Sequence, residues 1–119
     1  MDKRMISEVS EDFSLQIINL YKKLQSDEVG RVMGRQLLRC GTSIGANVFE
    51  SKGAESTADF IHKLHIAYKE SIETAYWLRL LLKSKRLSEN ELSSVVEESQ
   101  RIIRMLTAII KTSKKKKRK

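Results

Sequence analysis

His62 and His65 stand three residues apart, with Asp59 three before them, and are the residues whose type and spacing first suggest chemistry. Di-iron helical bundles take a Glu-x-x-His pair from each of two helices and one more carboxylate from each of two others. Here both histidines share one segment and a second acidic-x-x-His pair is missing, so three convergent ligands cannot be assembled from the motif. They read as polar-face histidines near a helix start. Glu70 and Glu73, with Lys69 beside them, form a carboxylate pair suited to acid–base work, yet spacing places no nucleophile or second acidic pair near them. They read as partly buried structural carboxylates hydrogen-bonded to Asn47, Ser43 or Thr74, because a buried charge must be paired. Cys40 follows Arg39 inside a helical pattern and reads as a packed small hydrophobe. The sequence therefore predicts no catalytic residue, no cofactor and no metal site, and hence no enzyme.

The stretch RCGTSIGANVFES, residues 39–51, does not fit a phosphate-cradling loop either. Only three residues separate Gly41 from Gly45, no Lys follows, and no strand precedes. A helix with one small face fits better. Gly41 and Gly45 fall on one side, flanked by Ser43 and Ala46, and glycine there loses about 1 kcal/mol of helix propensity relative to Ala unless close packing offsets it. Ser43 and Asn47, again four apart, are polar near the buried face and are expected to hydrogen-bond. The five residues Gly41, Ser43, Gly45, Ala46 and Asn47 are thus predicted to be a close-packing segment.

Basic residues are patterned. Arg31, Arg35 and Arg39 recur every four residues; Arg79, Lys83 and Arg86 form a second stripe, and Arg101, Arg104 and Lys111 a looser third. The chain then ends in KKKKRK, residues Lys114, Lys115, Lys116, Lys117, Arg118 and Lys119. These six supply most of the net charge of +8, and without them 17 basic residues face 15 acidic ones. The body is nearly neutral and carries a basic tail, which its charge density predicts to be disordered. Such stripes neutralise phosphates and release counterions. With Tyr68, Tyr76 and Trp77 expected to be buried, stacking on bases is not predicted, and backbone-dominated binding to RNA or DNA is what remains.

Helices position all of these residues. The apolar stripe Phe13, Ile17, Leu20, Tyr21, Leu24 marks the first, ending near Ser26 and Asp27, whose side chains suit a turn and an N-cap. The second runs from about Val29 to Phe49 with Val32, Leu37, Ile44 and Val48 inward. Ser56 with Asp59 caps the third, the longest apolar stripe, and Ser88 with Glu91 forms a capping box for the fourth. No prolines and short connections predict an all-α, antiparallel up-down-up-down four-helix bundle over residues 1–113, with 114–119 as the tail. At 119 residues the chain buries a core without disulfide or metal, and one cysteine suits a reducing cytoplasm. No apolar run approaches a membrane span, so no membrane association is expected.

Ser43-Ile44-Gly45-Ala46-Asn47-Val48, Glu50, Ala54-Glu55-Ser56, Asp59-Phe60, Lys69-Glu70 and Glu73-Thr74 before Tyr76-Trp77-Leu78 together closely resemble the small bacterial four-helix-bundle proteins of the 23S rRNA intervening-sequence (ribosomal-protein-like) family. The resemblance spans Phe13 to about Ser113, with Cys40, Phe49 and Ser51 differing from the residues common there. It implies a homo-oligomer, a five-membered ring, without enzymatic activity and linked by name to the intervening sequences of 23S rRNA genes; the basic stripes and tail make nucleic acid, RNA foremost, the expected partner. A related branch implies the alternative of a scaffold that docks a reverse transcriptase, as the accessory proteins of diversity-generating retroelements do.

Overall fold

The computed structural model describes residues 4–118, and Lys119 lies outside them. It contains four helices: α1 (Ile6–Lys22), α2 (Glu28–Ser51), α3 (Thr57–Lys83) and α4 (Glu89–Arg118). Consecutive helices pack on one another and α4 closes back on α1, with no diagonal pair among the described residues. Short connections force each neighbour to run antiparallel, which gives the predicted up-down-up-down bundle.

Three of the four helix starts are set by side chains that satisfy free backbone N–H groups. The Asp27 carboxylate accepts from Gly30 N at 3.0 Å, and Ser56 Oγ accepts from Asp59 N at 3.0 Å. Ser88 and Glu91 form the reciprocal box: Glu91 N donates to Ser88 Oγ at 3.2 Å and Ser88 N to Glu91 Oε1 at 3.1 Å. α1 has no side-chain cap and begins at Ile6, well before the stripe that opens at Phe13. Val9 and Ser10 extend the buried face, and Ser10 hides its hydroxyl on Ser7 O at 3.3 Å.

Phe13, Ile17, Leu37, Ile44, Leu64, Leu78, Leu81, Ile102 and Leu106 form the centre of the core. Val32 is not among them: it is 44 % exposed, because Gly30 and Gly34 put the opposite side of α2 against Leu24 and Tyr21. α3 ends where Lys85 takes a left-handed backbone, φ 60°, letting Arg86 N reach back to Leu81 O at 3.1 Å.

At 30 residues α4 is about 45 Å long, against about 26 Å for α1 at 17 residues. Its last turns therefore pass the α2–α3 connection without α1 beside them. Ser113 does not end the helix. α4 runs on through residues 114–118, where each added residue of an established helix gains a backbone hydrogen bond and cations suit the negative end of the helix dipole.

Candidate nucleic-acid interface

The basic stripes divide once partners are placed. Arg31 and Arg35 are exposed on α2; Arg31 donates to Gln25 O at 3.2 Å, and Arg35 meets no carboxylate among the described residues. Arg39, one turn on, is turned toward α3 instead. It pairs with Glu73 and, at 3.4 Å, with Glu70. The Glu73 carboxylate also accepts from Trp77 Nε1 at 3.1 Å, and this bond, followed by the Arg39 guanidinium, holds its carboxyl below the ordinary value. The two glutamates are thus structural, but their partners are Arg39 and Trp77 and not Asn47, Ser43 or Thr74. Thr74 Oγ1 donates to the Glu70 backbone carbonyl at 2.7 Å.

On α3, Arg79 and Lys83 are exposed and meet no carboxylate among the described residues, whereas Arg86 is tied to Asp27, its Nη1 2.8 Å from both carboxylate oxygens. That pair joins the α1–α2 and α3–α4 connections at one end of the molecule and holds the Asp27 carboxyl low, with help from Gly30 N. The stripes therefore thin to Arg31 with Arg35 and Arg79 with Lys83. Lys114–Lys117 are exposed at the other end, Lys114 beside Ala58 and His65 of α3 and Lys116 near Phe60. The bundle, 52 Å in its longest dimension, does not bring stripes and tail together.

The small residues of α2 split by face. A β-carbon on Gly41 would stand 2.8 Å from Ile17 Cγ1, and one on Gly45 3.2 Å from Ser14 Oγ, so both receive α1. Gly30 and Gly34 continue the same face against Leu24 and Tyr21; their spacing four apart was the signal in the sequence. Asn47 Nδ2 donates to Ser43 Oγ at 3.1 Å and Ser43 O at 2.9 Å, half-buried. Ala46 is exposed and takes no part in close packing, because it points away from both neighbours of α2.

Cys40 is buried, its thiol directed at Leu37 O and pushed up in pKa by that burial. His62 and His65 are exposed, and among the described residues no three His, Cys, Asp or Glu side chains converge. Tyr76 is 55 % exposed and packs edge-on against Trp77, and Tyr68 is only half-buried, so neither is the core aromatic that helix periodicity predicts. Phe49, 72 % exposed, and Leu15 add further large apolar side chains to the surface. No helix among the described residues is long and apolar enough to cross a membrane.

The model of a family described as 23S rRNA-intervening sequence protein matches residues 3–108. Among solved structures, a protein of unknown function from the S23 ribosomal protein family of Bacteroides thetaiotaomicron is 44 % identical, with a TM-score of 0.86 over 90 % of this chain and 99 % of that one. No curated protein matches the chain.

Proposed function

The chain belongs to the 23S rRNA-intervening sequence protein family, and on that premise we propose that it is a non-enzymatic, self-associating bundle that binds structured RNA in the cytoplasm through phosphate contacts. The observation that carries the reading is a set of exposed cations without a carboxylate partner among the described residues: Arg35, Arg79 and Lys83 on the body, and Lys114–Lys117 at the end of α4. Some other cations of the bundle are paired, as with Arg39, Lys63 and Arg86. Cations left free at the surface are available to phosphate oxygens and release counterions on binding.

A non-enzymatic role is supported by the state of the reactive groups. The Cys40 thiol is buried, and the Glu73 carboxylate is occupied by Trp77 and Arg39. Self-association into a ring is supported by the exposed Phe49, Leu15 and Tyr76, which water leaves uncovered in a lone bundle. A ring would present each weak basic patch several times and gain avidity without new contacts. The same apolar residues favour a second reading, a scaffold that docks a protein such as a reverse transcriptase.

Titration of labelled structured RNA and duplex DNA at low and moderate salt tests the proposal, using the full chain and a chain ending at Ser113. Salt-sensitive binding that depends on the tail is expected, with RNA the tighter ligand. Absence of binding by the full chain contradicts the reading and favours the scaffold.

A further inference from the structure

As a helix, the lysine run is no longer uniform. Lys111, Lys114 and Lys117 recur at three-residue spacing and lie along the groove between α3 and α4 over about 9 Å, while Lys116 lines a separate cleft beside Phe60. Two hollows open along that groove. One, of about 310 Å³, is lined by His65, Tyr68, Thr107, Ile110, Lys111 and Lys114. The other, of about 380 Å³, is lined by Ala58, Ile61, Lys114 and Lys117. Lys114 belongs to both, so they form one track, and no carboxylate among the described residues lines either.

The floor of the track is aromatic and apolar. The rings of His65 and Tyr68 are stacked, with centroids 5.9 Å apart and planes 17° from parallel. His65 is the exposed member and Tyr68 the half-buried one, which packs against the core. A nearly parallel pair with its outer member in solvent can be extended by one more flat ring, and every nucleobase offers such a face. Three lysines along one edge, with no acid beside them, select an anion. The two features in one groove select an anion that carries flat rings.

Resting on the nucleic-acid reading above, we propose that this groove holds a single strand of nucleic acid, an unpaired base lying against His65–Tyr68 and flanking phosphates meeting Lys111, Lys114 and Lys117. Bases of a duplex are occupied in their own stack and cannot reach the floor, so loops and ends of a structured RNA are the parts that enter. Recognition is by shape and charge and tolerates any base.

The test compares full-length wild type, His65→Ala and His65→Tyr, each titrated with oligouridylate, an abasic strand of the same length, oligothymidylate, duplex RNA and polyglutamate. His65 is exposed, so both variants are expected to fold, which their melting curves check. Wild type is expected to hold oligouridylate about five-fold or more tighter than the abasic strand. His65→Ala abolishes that difference, and His65→Tyr, which keeps a flat ring, preserves it. Oligothymidylate against oligouridylate separates DNA from RNA. Equal binding of base-bearing and abasic strands, or an unchanged difference in His65→Ala, overturns the proposal while duplex binding leaves the broader reading standing. Polyglutamate bound as tightly as oligouridylate overturns it in favour of an acidic protein segment. Failure to bind any nucleic acid sinks both.

Discussion

A β-carbon at position 41 has no room: Ile17 Cγ1 and Cγ2 would lie 2.8 and 2.9 Å away, and Ile17 is fully buried. Gly41→Ala gains about 1 kcal/mol of helix propensity, but overpacking a core costs about 1–3 kcal/mol and the Ile17 side chain has no free direction to yield. A net loss of stability is expected in a denaturant melt. Gly53→Ala is the control, since its nearest neighbour, Glu50 O, would be 3.6 Å away, an ordinary contact, and its melting midpoint should not fall. Charge at single residues makes a separate prediction. Glu73 is held below its ordinary value of 4.5 by Trp77 and then Arg39, and Asp27 below 3.8 by Arg86 and then Gly30. Carboxyls depressed in the folded state add stability that is fully present above their unfolded values and is lost as pH falls through the folded ones. The melting temperature should therefore hold steady down to about pH 5 and fall below the ordinary carboxylate range. Glu73→Gln should start lower at neutral pH and lose less in acid; an acid limb as steep as wild type would show that the Arg39–Glu73–Trp77 network does not contribute.

At the scale of the helix, Lys85 is the position with strain to release. Its left-handed backbone costs a side-chain-bearing residue about 1 kcal/mol that glycine does not pay, so Lys85→Gly is expected to stabilise the chain by up to that amount, read as a raised denaturation midpoint. The helices differ in how far the sequence discloses them, and the reason is distance along the chain. The starts of α2, α3 and α4 are written locally, since Asp27, Ser56 and Ser88 each act on a group three residues ahead. α1 has no such cap, and its first turns bury Ser10, whose polarity conceals the stripe. Arg39 and Glu73 lie 34 residues apart and Arg86 and Asp27 59 apart, so the pairing that removes Arg39 and Arg86 from the basic stripes is visible only once the helices are packed. Tyr76 misled in the opposite way. An aromatic beside Trp77 on an apolar helix reads as core, yet the ring falls on the outer side of α3.

Over the whole molecule, the two groups of exposed cations proposed to meet RNA lie toward opposite ends of a 52 Å bundle whose body is close to neutral. Arg35, Arg79 and Lys83 serve one end and Lys114–Lys117 the other, so a bound RNA either spans the length of a protomer or meets different ends in neighbouring copies. Either arrangement makes affinity a matter of how many phosphates are neutralised, which salt dependence counts directly. The measurement that matters most is the slope of log K against log salt for structured RNA, taken for the full chain and for the chain with Lys114–Lys117 replaced by glutamine. A steep negative slope in the wild type is predicted, flattened in the variant by about 0.7–0.9 for each phosphate contact removed. A slope that is already flat in the wild type, or one that the four substitutions leave unchanged, would contradict an interface built from these cations.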